Sequence, residues 1–482
     1  MLRSFFHLKR ANVLFRRIFG IPVHFYLFLA VSVVLVLWIV SIEPAFFRSL
    51  LSMVSMENLI HIPTALPKPP TTTPNTTRTD PYRHVLEIQE LIDLHLIPNP
   101  TELSRETVKE RSQALVNHFR TVQHDHSMPT EAEIEKTINR FIQSMDKYGY
   151  YEPPRVHPFP NNDKSTYGIG VQLFVTNNQI ILVPAKGGSA DKAGLSDAVI
   201  LKRIEDQPVY ADPSDKAIAR LDEALKKKTI KISIKRFRAQ NEEQFKLQKK
   251  TINNPSTETR TLSSNGKQIP YLRILNFSTK TTHREITQYL ANTWESPLPI
   301  ILDLRYCTGG DLYESLDAVS LFVQTGTTLI YTEDVHGGQT EHQALSGEKK
   351  YLNERIVLLV GPLTASSCEI FAQAMTAGSE PGRVRLIGGR TYGKCLAQKS
   401  FPLSNAGQLV LTNLKVLSHP DKSYCPLALQ DPKLHVTEEA LWDMQTIEAC
   451  LPFALSSNPQ RGHDSEAHAR CKPRDQNGII TR

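Results

Sequence analysis

The run Arg355-Ile-Val-Leu-Leu-Val360, the break Gly361-Pro362 and the segment Thr364-Ala-Ser-Ser-Cys-Glu-Ile-Phe-Ala-Gln-Ala-Met375 decide the fold. The first is short, apolar and β-branched, which predicts a buried strand. Gly361-Pro362 ends it. In the third, Ile370, Phe371, Ala374 and Met375 recur at helical spacing and predict an amphipathic helix. Ser366 and Ser367 therefore fall where a strand turns into a helix. N–H groups at a helix start have no internal partner and point outward, so a nucleophile placed there has donors ready for a developing oxyanion. A second strand is predicted over Val384-Arg-Leu-Ile-Gly388, followed by Gly389-Arg-Thr-Tyr-Gly-Lys394-Cys-Leu-Ala-Gln398.

A serine at such a turn, with a lysine on a nearby glycine-rich turn, suits Ser–Lys acyl transfer. Serine needs a neighbouring base, and lysine can be that base only when neutral, so burial must lower its pKa. Residue types alone leave a bland reading open: serines cap helices, and Gly-Lys pairs often form surface turns. Gly388-Gly-Arg-Thr-Tyr-Gly393-Lys394 also fits the start of a phosphate-binding P-loop. That loop needs Ser or Thr next and then a helix; Cys395 and Leu-Ala-Gln-Lys-Ser-Phe-Pro402 supply neither. Cys368 lies two residues beyond Ser366 and projects from a different helix face, which predicts a buried structural thiol rather than a nucleophile.

The same residues resemble the active-site run of the tail-specific, or C-terminal processing, serine peptidases. That family reads Ser-Ala-Ser-x-Ser-Glu-Ile, then Gly-x-x-Thr-Phe-Gly-Lys-Gly, then Gln. Its nucleophile lies three residues before the Glu, here Glu369, so the resemblance implies Ser366 as nucleophile, Lys394 as base and Gln398 as the glutamine that orients the lysine. Cys368 stands where the family usually has Ser, and Cys395 where it usually has Gly. Asp303-Leu-Arg-Tyr-Cys-Thr-Gly-Gly310 is similar to the family's Asp-Leu-Arg-x-Asn-Pro-Gly-Gly. There the glycine turn supplies one oxyanion donor and the residue after the nucleophile the other, which implies Gly309 or Gly310 and the Ser367 amide. Cys307 and Thr308 replace Asn-Pro, so the choice of glycine stays open.

The chain has 482 residues, room for several domains, and a net charge of +7. That charge is partly N-terminal and does not argue for nucleic acid. Lys226-Lys-Lys228 precedes the alternating Ile230, Ile232 and Ile234 and reads as a solvated strand edge. The six cysteines permit disulfides without specifying a pairing. No HExxH or CxxC occurs, and no metal or cofactor is expected; His463, His468 and Cys471 are too loosely spaced to argue for one.

Residues 1–43 read as a basic cytoplasmic segment (Arg3, Lys9, Arg10, Arg16 and Arg17) with an uncleaved signal anchor over Ile18–Ile42. That segment can span a bilayer core of about 30 Å, with its basic flank in the cytoplasm. No small-residue cleavage site follows. A Pro/Thr-rich linker is assigned to 44–82, with His61–Pro81 as an extended stalk. A helical N-terminal region is assigned to 83–160, with helices over His84–Ile97 and Thr130–Met145. The second opens on a capping box, Thr130-Glu-Ala-Glu133, and the region ends in Met145-Asp-Lys-Tyr-Gly-Tyr150, similar to a motif of the peptidase family. Residues 165–240 resemble a PDZ domain, with Tyr167, Gly168, Ile169 and Gly170 as its carboxylate-binding loop. Successive N–H groups there can hold a chain terminus while the peptide adds a strand to the sheet. Leu195-Ser-Asp-Ala-Val199 shortens the usual turn, and the glycines also admit a reading as ordinary turns, which the PDZ resemblance outweighs. A peptidase core is assigned to 255–425, where alternating strands and helices argue for an α/β fold, crotonase-like by the resemblance. A polar tail of unknown role is assigned to 426–482.

The expectation is a single-pass membrane protein with an α/β crotonase-like peptidase core, a PDZ-like domain inserted in or preceding it, and the catalytic part extracytoplasmic, facing the periplasm in a Gram-negative cell. Its partners are protein substrates with free C-termini and the membrane; any activating partner is unspecified. The alternative is a non-catalytic PDZ adaptor or chaperone on a degenerate peptidase fold.

Overall fold

The computed structural model describes residues 81–455 apart from 99–102, 125–128, 155–164, 177–178, 210–219, 222, 238, 254, 265–266, 294–297, 347–350, 421, 424–435 and 437. The anchor and nearly all of the linker read from sequence lie outside the described residues, and no described helix is long and apolar enough to cross a membrane.

In chain order, helices α1 (Pro81–His95), α2 (Arg105–His124) and α3 (Glu131–Gln143) precede the short strand β1 (Tyr150–Glu152). Pro81 opens α1, where a missing N–H costs nothing. At α3 the capping box forms: Glu133 N–H donates to Thr130 Oγ1 (3.3 Å), and Thr130 N–H donates to Glu133 Oε2 (2.8 Å). Val85, Ile88, Ile92, Leu115, Val116, Ile138 and Ile142 form one apolar core with Phe401, Leu409 and Leu411 from later strands.

An antiparallel module follows. It contains β2 (Ser165–Gly168), β3 (Val171–Thr176), β4 (Gln179–Pro184), the short helix α4 (Ser189–Lys192), β5 (Val199–Ile204), β6 (Gln207–Pro208), β7 (Thr229–Arg236), β8 (Glu242–Gln248) and β9 (Lys250–Asn253). Its sheet order is β3-β4-β5-β7-β8, with β6 on β5, while β2 pairs with β9. The module thus runs to Asn253, beyond the 240 expected from sequence, because β8 completes the sheet that Ile230, Ile232 and Ile234 begin.

Five strands then form the central sheet. They are β10 (Thr257–Ser264), β11 (Lys267–Ile274), β12 (Ile300–Asp303), β15 (Ile356–Val360) and β16 (Val384–Gly388), in that spatial order and parallel from β11 onward. Between them in sequence come helix α5 (Thr282–Thr293), helix α6 (Leu312–Ser320), strands β13 (Thr328–Glu333) and β14 (Gln339–Gln343), and helix α7 (Ser367–Ala377). After β16, strands β17 (Leu396–Pro402), β18 (Gln408–His419) and β19 (Lys422–Ser423) join β1, β13 and β14 in a second sheet around β18.

A parallel sheet is covered on both faces, so its strands are apolar at successive positions. Leu272, Ile300, Leu302, Ile356, Leu358 and Val360 face α5–α7 through Ile286, Leu290, Val319, Phe371 and Met375. The alternate residues Ile269, Tyr271, Ile301, Val357, Leu359 and Ile387 face the other way. What covers them is the region read from sequence as a polar tail. Helices α8 (Glu438–Leu441) and α9 (Met444–Ala454) lay Leu441, Met444, Ile447, Cys450 and Leu451 against that face. The expectation fails here because the sheet's second face needs an apolar cover. Arg305 anchors the cover: its Nη1 donates to the Leu441 carbonyl, and its Nη2 lies 2.9 Å from Met444 Sδ. Trp442 packs on Tyr306 and on Phe237 of the antiparallel module, with ring centroids 5.8 and 6.3 Å away.

Leu451 is fully buried on the sheet. Leu451→Ala should cost about 2–5 kcal/mol of stability, read as a shift of the urea unfolding midpoint. A shift below about 0.5 kcal/mol, the surface range, would remove α9 from the core.

Candidate active site

Strand β15 ends at Val360, and the Thr364 hydroxyl fixes the turn that follows. Its Oγ1 accepts from Gly361 N–H (2.9 Å) and donates to the Leu304 carbonyl (2.8 Å). The chain then reaches Ser366 with φ 55° and ψ −126°, a positive φ that a residue with a side chain rarely adopts. A serine on a sharp, strained strand-to-helix turn presents its Oγ outward, as in a nucleophile elbow. Across from it, the turn after β12 brings Gly309 (φ 124°) and Gly310 (φ 135°) close. A Cβ on Gly309 would lie 2.9 Å from Ser366 Cβ, and one on Gly310 would lie 2.3 Å from the Phe277 carbonyl oxygen. Both positions require glycine on φ and on space. The turn is pinned by Phe277 N–H to Gly309 C=O (2.9 Å) and Asp311 N–H to Phe277 C=O (2.8 Å). Among the described residues, the amides of Gly309, Gly310 and Ser367 have no hydrogen-bond acceptor.

A buried acid cluster fixes the strand end from below. Asp303 accepts from Arg305 (2.7 and 2.9 Å) and from Arg273 (3.4 Å), and Arg273 also reaches Glu258 (3.2 Å). Burial alone would push the Asp303 carboxyl up, but Arg305 and Arg273 outweigh it and hold the group well below the usual carboxylate range. Burial pushes the Tyr271 phenol, which donates to Asp303, up to about 12.

Ser366, Ser367, Gly310, Lys394 and Gln398 line one cavity of about 620 Å³. Lys394 Nζ donates to Gln398 Oε1, and Gln398 Nε2 donates to the Tyr148 carbonyl (2.6 Å). The ammonium lies 4.7 Å from the centroid of the Tyr148 ring. Burial lowers the Lys394 pKa from its ordinary value; the Asp146 charge pulls it partly back. Asp146 itself accepts from Thr412 N–H (2.7 Å), Thr412 Oγ1 (2.9 Å) and Tyr148 N–H (3.0 Å). The stretch Asp146–Tyr148 is thereby fastened to β18 and aimed at Gln398.

The carboxylate of Glu369 joins the two halves of the site. It is buried, and its oxygens accept from Ser366 N–H (3.0 Å), Thr391 Oγ1 (2.5 Å), Gly393 N–H (2.7 Å) and Lys394 N–H (2.9 Å). Sequence reading used Glu369 only to set the register of Ser366 and missed this role, as it missed Tyr148 and Asp146. A signal was present in Thr391-Tyr-Gly-Lys394, a donor-rich turn with no acidic residue of its own. Cys368 corrects another expectation: it is not a thiol but bonds to Cys307, with Cα atoms 5.9 Å apart. Cys395 is disulfide-bonded as well. The residues Tyr167–Gly170 do not line the cavity of Ser366. Tyr167 and Gly168 pair with Thr251 and Lys250 on β9, and Ile169 C=O accepts from Ala190 N–H (3.0 Å). Among the described residues, no cluster of His, Cys, Asp and Glu could hold a metal ion.

With this geometry, residues 268–425 match the family described as Peptidase family S41. Its relatives are carboxyl-terminal processing proteases. The chain is 30% identical over 259 residues to the Carboxyl-terminal-processing protease of Synechocystis, covering 52% of this chain and 57% of that one. It is 26% identical over 323 residues to the Carboxy-terminal processing protease CtpA of Bacillus subtilis, covering 65% and 67%. The chain spans about half the length of the first curated relatives it matches. Its fold is similar to that of a photosystem II D1 C-terminal processing protease, with a TM-score of 0.51 at 17% identity over 77% of this chain and 97% of that one.

Glu369→Gln puts an NH₂ where an acceptor faces N–H donors. It should destabilise the protein by about 1–3 kcal/mol and slow fluorophosphonate labelling of Ser366. Labelling at the wild-type rate would mean that the carboxylate does not position the serine.

Proposed function

We propose that this chain is a membrane-anchored serine endopeptidase of the tail-specific type, with Ser366 as nucleophile and Lys394 as its base. The observation that carries this reading is the convergence of Ser366 and Lys394 on one cavity, with both backbones held by the same buried carboxylate. Neutral Lys394 takes the proton from Ser366 Oγ as the oxygen attacks the scissile carbonyl. The oxyanion is received by the Ser367 amide and the Gly309–Gly310 turn. The Lys394 ammonium then protonates the leaving amine. Water, deprotonated by Lys394, hydrolyses the acyl-enzyme and frees Ser366. Gln398 holds Lys394 Nζ in line between these steps.

The antiparallel module is read as PDZ-like, with Tyr167–Gly170 holding a substrate's terminal carboxylate and the sheet edge pairing with its tail. The apolar Ile18–Ile42, with basic residues on its N-terminal side, supports an anchor with the catalytic part exported. The Cys307–Cys368 disulfide supports the same side, since disulfides persist in oxidising compartments.

Ser366→Ala should abolish peptide cleavage and fluorophosphonate labelling. Lys394→Arg keeps the charge at every accessible pH and should lower kcat/KM by about 10²–10⁴, the range for a lost general base. Because the neutral lysine is the active form and burial depresses its pKa, wild-type kcat/KM should rise with pH and level off below the ordinary lysine value of 10.5. Near-normal cleavage by Lys394→Arg would end the Ser–Lys mechanism.

Amidating the terminal carboxylate of a model substrate should raise KM or lower kcat/KM. Equal turnover of acid and amide would remove Tyr167–Gly170 from substrate selection.

A further inference from the structure

The two halves of the oxyanion site lie far apart in sequence, and a disulfide closes the gap between them. Cys307 is two residues before Gly309, and Cys368 is the residue after Ser367. The bond spans 61 positions, and both cysteines are fully buried. These are two of the positions at which the chain departs from the peptidase motif, where Asn and Ser are usual; the two departures form one covalent link.

Resting on the protease reading above, we propose that the Cys307–Cys368 disulfide is a positioning brace for the oxyanion site. It holds the Gly309–Gly310 turn against the first turn of α7 at the spacing an oxyanion requires. Donors work only at about 2.7–3.1 Å from the developing charge, and misplacement by about 1 Å can cost a hundredfold. Among the described residues, two hydrogen bonds also join the segments: Thr364 Oγ1 to Leu304 C=O (2.8 Å) and Ala365 N–H to Cys307 C=O (3.0 Å). Both leave from residues before Ser366. The disulfide reaches the chain after it, on the helix that carries the Ser367 amide. Cys368 Sγ also lies 3.8 Å from the Gly309 carbonyl oxygen, so the bond packs directly under the glycine turn. The turn is also supported by the Phe277 backbone, and the Phe277 ring packs on Phe371 of α7 with centroids 5.3 Å apart. Without the disulfide, the glycine turn and α7 are held together by packing and by the two hydrogen bonds ahead of Ser366, and among the described residues no backbone hydrogen bond ties the turn to α7 itself.

The test compares wild type with Cys307→Ser/Cys368→Ser and with Cys307→Ala/Cys368→Val, which keeps more of the buried volume. kcat and KM for one peptide are measured beside the affinities of a peptide boronate, whose tetrahedral adduct with Ser366 occupies the oxyanion site, and of a product peptide, which does not. We expect kcat to fall about tenfold or more with KM within about twofold, and boronate affinity to fall with kcat while product affinity holds. A purely structural cross-link predicts a lower melting temperature with kcat and boronate affinity unchanged in the folded protein, and that result overturns the brace. If neither variant folds, wild type is treated with a trialkylphosphine, which with one water converts the disulfide to two thiols and itself to the phosphine oxide. The thiols of Cys307 and Cys368 are counted by mass while cleavage is followed. Loss of kcat in step with their appearance supports the brace, and unchanged cleavage after full reduction overturns it. A wild type that cleaves no peptide overturns the protease reading and the brace together; a cleaving wild type matched by its disulfide-free variants overturns the brace alone.

Discussion

The site depends on where the charge of Glu369 goes. A carboxylate is an acceptor with four lone-pair positions, and here each of four donors takes one: the Ser366, Gly393 and Lys394 amides and the Thr391 hydroxyl. A buried charge is costly unless it is fully hydrogen-bonded, so the four contacts stand or fall together. Two of the donors belong to the backbone of Ser366 and of Lys394, the proposed nucleophile and base, which come from different turns. The geometry between Ser366 and Lys394 is therefore set by one side chain that reacts with nothing. An apolar residue would leave three N–H groups and the Thr391 hydroxyl without this acceptor, and a glutamine would turn a donor toward one of the N–H groups.

Ser366 shows what that carboxylate works against. Its φ of 55° costs on the order of 1–3 kcal/mol for a residue with a side chain. The conformation persists because neighbours over-determine it. Thr364 is tied to the end of β12, Ala365 to Cys307, and the Ser366 amide to Glu369. Gly309 and Gly310 are the complement: a side chain on the first would meet Ser366, and one on the second would meet the Phe277 backbone. The strained serine can sit against the turn because the turn has no side chains there.

Much of this was legible in the sequence, for identifiable reasons. Ile300–Leu302 and Ile356–Val360 are apolar at successive positions, which with their length and β-branched content reads as strands covered on both faces, and Val384–Gly388 follows the same pattern apart from Arg385. The helix from Ser367 followed from the spacing of Ile370, Phe371, Ala374 and Met375. The same logic implied a cover for the sheet's second face, but α8 and α9 are short, carry Pro452 and lie beside a polar terminus, so no periodicity marked them. The Cys307–Cys368 bond was illegible because spacing does not determine pairing; each cysteine read as a separate departure from a motif. Glu369 was seen as a letter in that motif, since acceptors of backbone N–H groups are invisible until the chain is folded.

The helical region reaches Gln398 and Lys394 through its last turn. Asp146 is bound to Thr412 on β18, and this fixes the peptide that carries the Tyr148 carbonyl. That carbonyl takes one end of the Gln398 amide, whose other end takes Lys394 Nζ. With its NH₂ committed to Tyr148, the glutamine must present oxygen to the lysine, so it accepts from the amine in either protonation state. The Tyr148 ring below and the Asp146 charge beyond both favour the ammonium, while burial favours the neutral amine. The proposed role of Lys394 as base needs that opposition: burial strong enough to release a proton to the leaving group, and enough countercharge to accept one from Ser366. Displacing α3 and its C-terminal turn would therefore disturb the orientation and the proton affinity of Lys394 at once, without touching Ser366.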